Sequence, residues 1–152
     1  MTARAFLGLG SNQGDRRRYL RDAIASLGPS VVAVSPVYET DPVGGPGGQE
    51  RYLNVVVELR TDLTPATLLG VCHRLEGAAD RVRDVRWGPR TLDVDILWMH
   101  GVALDSTDLT IPHPRMAGRR FVMAPLRDLA PELVPEDWEE RAEGAVDRLG
   151  PL

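Results

Sequence analysis

Residues Asp93–Met99 have the sequence Asp-Val-Asp-Ile-Leu-Trp-Met, and this stretch decides the fold. Apolar residues alternate there with two carboxylates, which is typical of a β-strand with one buried face. Alternate side chains of a strand share a face, so Asp93 and Asp95 are expected to point the same way, about 7 Å apart. The opposite face is predicted to carry the apolar residues Val94, Ile96 and Trp98.

Three further strands and two helices are predicted upstream of this stretch. A first helix should begin at Asp15, a favourable N-terminal cap, and end at Gly28, which is followed by a proline. A second helix should begin at Thr64 and Pro65, a cap followed by proline in the first turn. The predicted strands, rich in apolar and β-branched residues, are Ala5–Leu9, Val31–Tyr38 and Tyr52–Arg60.

The element order β-α-β-β-α-β predicts an α+β protein with a ferredoxin-like core. In that arrangement two helices pack on one face of a four-stranded antiparallel sheet. Long loops rich in glycine, proline or arginine should lie around the site, and a short helix is expected over Met116–Leu129. We expect one domain over residues 1–152, with an acidic C-terminal tail over 136–152 that could contain a closing helix.

The composition limits the chemistry that the chain can perform. All 18 basic residues are arginines, so neither a phosphate-binding Gly-Lys-Ser/Thr loop nor a lysine Schiff base is available. A net charge of −4 disfavours nucleic acid as a partner, and no apolar run reaches the roughly 18 residues that span a membrane. The single cysteine, Cys72, excludes an internal disulfide. Since no signal peptide is evident, we expect a cytoplasmic protein.

Asp93 and Asp95 are candidate metal ligands. Two like charges at this spacing on a half-buried strand repel by about 2 kcal/mol at an effective dielectric near 20, and a bound divalent cation reverses that cost. Hard oxygen ligands without a neighbouring cysteine or histidine cluster favour Mg²⁺ over zinc. The alternative is that both carboxylates are simply solvated at the end of a strand.

An arginine-rich segment, RVRDVRWGPRTL at residues 81–92, leads directly into the carboxylate strand. Guanidinium groups beside a metal site suit a polyphosphate, whose oxygens accept hydrogen bonds from planar donors and also bind Mg²⁺. The alternative is a solvated basic loop whose charge is offset by Asp80 and Asp84.

Two further polar residues are candidates for ligand contact. His113 lies between two prolines, which restrict the backbone around it, and could bind a phosphate or serve as a structural residue in a turn. Asn54 lies within an apolar strand and needs a hydrogen-bond partner, either a polar heterocycle or a backbone group of the protein. Cys72, His73 and His100 are interpreted as structural or surface residues.

Several motifs together resemble those of the 6-hydroxymethyl-7,8-dihydropterin pyrophosphokinases, a family of folate biosynthesis. The resemblance covers most of the chain in the same order, and its most specific part is RWGPRTLDVDI at residues 86–96. The other matching motifs are LGLGSN at 7–12, YETDP at 38–42, YLN at 52–54, IPHPRM at 111–116 and PLRDLAP at 125–131.

The resemblance implies a diphosphotransferase that moves the β,γ-diphosphate of ATP to the hydroxymethyl group of the dihydropterin and releases AMP. It implies that Asp93 and Asp95 bind two Mg²⁺ ions, and that Arg81 and Arg90 neutralise charge on the transferred group. The expected partners are the two small substrates, with no nucleic acid and no membrane, and the expected state is a monomer.

The resemblance also implies which residues contact each substrate. Contacts to ATP are implied for Glu76, Arg83, Trp87, Arg90, Ile96, Thr110, His113 and Arg119. Contacts to the pterin are implied for Thr40, Pro42, Val43, Tyr52, Asn54, Trp87 and Phe121. Trp87 and Phe121 would enclose the flat ring from both sides, an arrangement that suits aromatic stacking.

The chain departs from the family pattern on the adenosine side. Pro114 replaces a residue that is often aromatic, His73 replaces a glutamine, and Asp108 replaces an arginine. The segment from Arg81 to Trp87 is also one residue shorter. These departures concern contacts to the nucleoside and leave the carboxylate pair unchanged.

Three other classes of protein share part of this pattern. The ferredoxin-like sheet is also an RNA-binding platform, but 5% aromatic residues and the negative net charge disfavour that function. A nucleotidyltransferase could use the same pair of carboxylates, and would release pyrophosphate where a diphosphotransferase releases AMP. An inactive regulator is disfavoured because Arg90 and both carboxylates are present.

Overall fold

Eight strands and four α-helices lie within residues 2–41, 50–80 and 91–152, which the computed structural model describes. The strands are β1 (Ala3–Ser11), β2 (Val31–Val34), β3 (Val37–Thr40), β4 (Tyr52–Thr61), β5 (Asp93–Met99), β6 (Leu104–Asp105), β7 (Thr110–Ile111) and β8 (Val146–Gly150). The helices are α1 (Arg16–Leu27), α2 (Pro65–Asp80), α3 (Arg120–Leu129) and α4 (Trp138–Arg141), with short 3-10 turns at Gly28–Ser30, Met116–Gly118 and Pro131–Leu133.

The main sheet is open and antiparallel, with the strand order β5-β1-β4-β3-β8 and with β2 also pairing with β4. Strands β6 and β7 form a separate two-stranded hairpin. The long central strand β1 pairs with β4 over its whole length, from Ala3 with Thr61 to Ser11 with Leu53. The predicted α+β class with an antiparallel sheet and packed helices is confirmed.

The ends of α1 and α2 follow from local sequence chemistry. The Asp15 side chain accepts a hydrogen bond of 3.2 Å from the backbone N–H of Arg18, and Gly28 ends the helix with a φ of +64°. At α2, the Thr64 hydroxyl accepts a bond of 3.2 Å from the N–H of Thr67. Both predicted start signals and the predicted glycine stop therefore operate as capping rules describe.

The predicted strand Val31–Tyr38 is wrong as a single element, because it is divided into β2 and β3 at Ser35 and Pro36. Proline has no N–H to donate to a ladder, so a continuous strand is disfavoured there. Ser35 keeps the break attached to β4: its backbone N–H donates to the Val56 carbonyl, and its hydroxyl accepts from the Val56 N–H, both at 2.9 Å.

The C-terminal segment differs from the predicted tail. Residues 136–152 contain the one-turn helix α4 and then β8, which pairs antiparallel with β3 and extends the sheet. The helix expected over Met116–Leu129 is also shorter, since a 3-10 turn precedes α3. Among the described residues, no helix combines the length and apolar character needed to cross a membrane.

Helices cover both faces of the sheet. Leu7 and Leu9 of β1 point to the face where α1 and α2 pack, together with Leu20 and Leu68 of those helices. Phe6 points to the opposite face and contributes to the core beneath α3. The sheet is therefore the middle of three layers, one more than the predicted βαββαβ core contains.

A β-bulge in β5 overturns one predicted orientation. Leu7 pairs with Ile96 but Phe6 pairs with Trp98, so Leu97 is an extra residue in β5. The Trp98 ring consequently lies 5.9 Å from the Phe6 ring, on the α3 side of the sheet. Trp98 was predicted to share the face of Val94 and Ile96, and the bulge is the reason that it does not.

Candidate active site

Strand β5 presents the two carboxylates on the α3 side of the sheet. Asp93 pairs with Gly10 and Asp95 with Gly8, and these β1 residues alternate with the core residues of the other face. Asp95 is exposed and Asp93 is half-buried. Because the paired residues are glycines, the strand beside the carboxylates offers no side chain that would cover them.

A row of paired residues crosses the sheet from Asp93. Gly10 pairs with both Asp93 and Asn54, Asn54 pairs with Tyr38, and Tyr38 pairs with Arg148. Asp93 and Asn54 are two strands apart, roughly 10 Å at the usual strand spacing. The same face of the sheet therefore carries carboxylates at one edge and a carboxamide near its centre.

Asn54 has its hydrogen-bond partner within the protein. Its Nδ2 donates to the Thr40 hydroxyl at 3.0 Å, and both residues are buried. The partner is thus internal, but it is a side-chain hydroxyl and not the backbone group that the sequence suggested. Tyr52, two residues earlier on the same face, is half-buried.

Glu76 fastens the edge strand to helix α2. Its Oε2 accepts a hydrogen bond of 3.0 Å from the Val94 backbone N–H, between the two carboxylates of β5. One turn earlier, Cys72 is fully buried. Burial raises the pKa of its thiol to about 12, and the carboxylates of Glu76 and Asp95 act in the same direction, so the thiol is unreactive.

His113 is held against β5 by its backbone. Its N–H donates to the Leu97 carbonyl at 2.8 Å, and its Nδ1 accepts from the Arg115 N–H at 3.2 Å. Burial lowers the pKa of the imidazole; Asp95 opposes this, and Arg119 and Arg115 add to it. The ring is therefore neutral at pH 7, with its proton on Nε2 because Nδ1 is an acceptor.

The other described ATP and pterin candidates occupy varied positions. The Arg119 guanidinium carbon lies 5.5 Å from the centre of the Phe121 ring, and both side chains are half-buried. The Thr110 hydroxyl donates to Asp105 at 3.3 Å within the β6–β7 hairpin. The Ile96 side chain belongs to the core beneath α1 and α2, which leaves its backbone atoms for any contact with a nucleotide.

Six of the predicted site residues lie outside the described ranges. They are Pro42 and Val43 on one segment, and Arg81, Arg83, Trp87 and Arg90 on the other. The structure thus places Asp93 and Asp95 on one face, with Asn54 and Thr40 joined on that face. It brings His113 within electrostatic reach of both Asp95 and Arg119.

Sequence reasoning missed a contact between Tyr38 and α3. The Tyr38 hydroxyl donates to the Asp128 carboxylate at 2.5 Å, and Arg148 lies 3.9 Å from the same carboxylate. Burial, followed by the bond to Asp128, raises the pKa of Tyr38 to about 12. In β3 the two-residue repeat of a strand places Tyr38 on the same face as Thr40, which could have indicated the contact. The predicted strand ends at Tyr38 and does not reach Thr40.

The two β5 carboxylates fit Mg²⁺ as ligands. Within residues 2–41, 50–80 and 91–152, no group of three or more His, Cys, Asp or Glu side chains is placed to hold a metal ion. Mg²⁺ is commonly bound by one or two carboxylates and completes its coordination with water and substrate phosphates. A same-face pair with an exposed Asp95 satisfies that requirement, whereas a zinc site would need more protein ligands.

Comparison with known proteins gives a consistent family. A family model described as 7,8-dihydro-6-hydroxymethylpterin-pyrophosphokinase (HPPK) matches residues 6–131. The 2-amino-4-hydroxy-6-hydroxymethyldihydropteridine pyrophosphokinase of Bacillus subtilis is 45% identical over 136 residues, which make up 87% of this chain and 81% of that protein. The protein of the same name from Pseudomonas aeruginosa is 45% identical over 137 residues, 88% of this chain and 84% of that one.

A solved structure supports the fold. HPPK-DHPS of Plasmodium falciparum superposes with a TM-score of 0.66 at 16% identity, over 87% of this chain and 38% of that chain. This chain therefore spans less than half the length of that protein. With a family model that matches most of its length and relatives at 45% identity, the chain belongs to the 7,8-dihydro-6-hydroxymethylpterin-pyrophosphokinase family.

Proposed function

We propose that this chain transfers the β,γ-diphosphate of ATP to the hydroxymethyl group of 6-hydroxymethyl-7,8-dihydropterin and releases AMP, as a step of folate biosynthesis. The family carries the name of this reaction. The structural observation that supports it is the same-face pair Asp93 and Asp95, opposite two glycines on the neighbouring strand.

The reaction makes one bond to phosphorus and breaks another. The pterin hydroxymethyl oxygen bonds to the β-phosphorus of ATP, the bond from that phosphorus to the α–β bridging oxygen breaks, and the hydroxyl proton is released. Asp93 and Asp95 would hold two Mg²⁺ ions. When bound, the ions supply positive charge that neutralises the triphosphate and acidifies the attacking hydroxyl.

His113 and Arg119 are proposed to bind the phosphates. A neutral imidazole can donate its Nε2–H to a phosphate oxygen, and Arg119 adds a fixed positive charge. Arg81 and Arg90 are proposed to neutralise charge on the transferred group. Arg83, Trp87, Thr110 and the Ile96 backbone would contribute further contacts to ATP, and Glu76 would act there by holding β5.

The pterin is proposed to lie over the centre of the same sheet face. Asn54 and Thr40 present a joined carboxamide and hydroxyl that can hydrogen-bond the polar edge of a heterocycle. Phe121 and Trp87 would stack on its two faces, and Tyr52, Pro42 and Val43 would complete the pocket. This location puts the hydroxymethyl group within about two strand spacings of the β5 carboxylates.

The direct test is product analysis. The purified chain, incubated with ATP, Mg²⁺ and the dihydropterin, should form AMP and pterin diphosphate in equal amounts. Release of pyrophosphate would indicate a nucleotidyltransferase, and formation of ADP would indicate an ordinary kinase; either result contradicts the proposal.

The carboxylate assignment is tested by an isosteric substitution. Asp95→Asn should lower kcat by at least about a hundredfold while the protein stays folded, because charge at the phosphates is then poorly neutralised. Asp62→Asn, the same change on an exposed residue that directly follows β4, is the control and should keep normal turnover. Near-normal turnover of Asp95→Asn in Mg²⁺ would show that the metal assignment is wrong.

The number of metal ions, the monomeric state and the cytoplasmic location are further proposals. Isothermal titration with Mg²⁺ in the presence of a non-hydrolysable ATP analogue should show two ions per chain. Sedimentation of the purified protein should give the mass of a single chain, 16.7 kDa.

A further inference from the structure

Gly10 of β1 pairs directly with Asn54 of β4, so both residues lie side by side on the same face of the sheet. A Cβ atom built on Gly10 would be 2.8 Å from Asn54 Oδ1, which is shorter than real Cβ contacts. The next atoms, Cδ1 of Tyr52 and the Leu53 carbonyl oxygen, would be 3.6 and 3.8 Å away, at ordinary contact distances. Asn54 is therefore the one close obstacle to a side chain at position 10 among the described neighbours.

Asn54 has little freedom to move aside. Its side chain is short and its amide nitrogen is bonded to the Thr40 hydroxyl, with both residues 5–6% exposed. Its backbone is fixed by pairing with β1 on one side and with Tyr38 of β3 on the other. A methyl group at position 10 would thus rotate the carboxamide and break the bond to Thr40.

Gly8, the other β1 glycine that pairs with a β5 carboxylate, has more room for a side chain than Gly10. A Cβ on Gly8 would be 3.4 Å from Leu97 Cδ2, the end of a flexible side chain. The contact at Gly10 is 0.6 Å shorter (3.4 minus 2.8 Å) and involves a hydrogen-bonded amide. The demand for glycine is therefore specific to the position below Asn54.

We infer that Gly10 is a positioning residue for the pterin. Because it has no side chain, the Asn54 carboxamide can keep its hydrogen bond to Thr40 and the orientation in which it would bind the heterocycle. Gly10 acts through Asn54 and makes no contact of its own in this role. The inference rests on the proposed function, because it assigns Asn54 to the pterin side of the site.

The test compares Gly10→Ala with the wild type by steady-state kinetics and by equilibrium binding of the dihydropterin. A displaced carboxamide loses hydrogen bonds to the ligand, so KM and Kd for the dihydropterin should rise by about tenfold or more. KM for ATP should change much less, because the atoms nearest to a Cβ on Gly10 belong to Asn54, Tyr52 and Leu53 and not to the β5 carboxylates. Gly70→Ala is the matched control, since a Cβ on this α2 glycine meets nothing within 4 Å, and it should leave both KM values unchanged.

A double-mutant cycle with Asn54→Ala shows whether Gly10 acts through Asn54. If it does, Gly10→Ala should change Kd for the dihydropterin by less than about twofold when the carboxamide is already absent. An unchanged Kd in Gly10→Ala alone, or an equal tenfold effect in both backgrounds, would overturn the inference.

Loss of folding in Gly10→Ala would also give an answer. The steric account then requires that Gly10→Ala with Asn54→Ala folds again, because the obstacle has been removed; if both variants remain unfolded, the account is wrong. If the wild type forms no AMP, the proposed function itself is wrong. If the wild type is active but the effects of Gly10→Ala and Asn54→Ala on Kd are additive, only this inference is wrong.

Discussion

Asp93 and Asp95 illustrate how single residues define this site. Their common face follows from the two-residue repeat of β5, and their accessibility follows from Gly8 and Gly10 beside them. Asn54, by contrast, is buried, and its carboxamide is held in place by a hydrogen bond to Thr40. Exposed charge at the sheet edge and fixed hydrogen-bonding groups at its centre suit a phosphate chain and a flat heterocycle, respectively.

Tyr38→Phe should destabilise the fold by about 2 kcal/mol, because the Asp128 carboxylate loses a donor. The pKa of Tyr38 is raised above its unfolded value of 10 to about 12. The stability gained from the neutral phenol is therefore fully present below pH 10 and is lost as the pH rises from 10 towards 12. Urea denaturation at pH 8 and pH 11 measures both effects.

Tyr19→Phe makes the same chemical change on α1, where the side chain is half-buried, and should stay within about 0.5 kcal/mol of the wild type. Equal stability of Tyr38→Phe and Tyr19→Phe would mean that the bond to Asp128 contributes nothing to the fold.

His113 should titrate below its ordinary pKa of 6.5 in the metal-free protein, because burial and the nearby arginines disfavour its charged form. A depressed folded-state pKa means that the unfolded chain binds the proton more readily, so stability falls as the pH drops below 6.5. Arg119→Ala should raise the pKa of His113, which NMR titration of the ring can measure. A pKa that does not move, or moves down, would show that the two side chains do not interact.

Strand β5 is the element on which the site depends most. Among the strands of residues 2–41, 50–80 and 91–152 it lies at the edge of the sheet and pairs with β1 alone, so its outer side is supported by other elements. Glu76 of α2 provides it at Val94, and the segment of His113 provides it at Leu97. The bulge at Leu97 lets both Leu97 and Trp98 enter the core beneath α3.

Glu76→Ala should cost about 1–3 kcal/mol of stability, because the Val94 N–H loses its acceptor, and should lower kcat by letting Asp93 and Asp95 shift. Glu76→Gln keeps an acceptor oxygen at the same place and should recover most of the stability. Chemical denaturation and turnover of the two variants provide the measurement. If Glu76→Gln is as damaging as Glu76→Ala, the negative charge of Glu76 matters more than its hydrogen bond.

Local rules predicted the elements better than the contacts between distant elements. Thr64 caps α2 through a residue three positions away, so the sequence contains the whole interaction. The bulge at Leu97 has no glycine or proline to signal it and is decided by the pairing of Phe6 with Trp98. The bond between Tyr38 and Asp128 joins residues 90 positions apart, which no local pattern can indicate.

At the scale of the whole molecule, the C-terminal segment completes the sheet. Strand β8 covers β3, Asp147 forms an ion pair of 2.9 Å with Arg51, and Leu152 packs against the core beneath α1 and α2. This segment was the least predictable part of the fold, since the sequence Val-Asp-Arg-Leu-Gly is short, charged and stabilised as a strand only by its partner.

Removal of residues 145–152 should lower the free energy of unfolding by roughly 2–4 kcal/mol, because β3 loses its partner and the core loses Leu152. Leu149→Ser, a change on an exposed residue of the same strand, is the control and should have a small effect. Thermal and urea denaturation compare the three proteins. A truncated chain as stable as the full one would show that β8 is dispensable for the sheet.

The edge position of β5 has a consequence for how the protein behaves at high concentration. An open strand edge invites a second molecule to continue the sheet, and self-association begins there in many β-rich proteins. Here the Val94 N–H is already bonded to Glu76 and the Leu97 carbonyl to His113, and the same strand carries the like charges of Asp93 and Asp95. These groups occupy the edge that a neighbouring molecule would have to join, so losing the Glu76 carboxylate should favour fibrils or precipitates in concentrated solution.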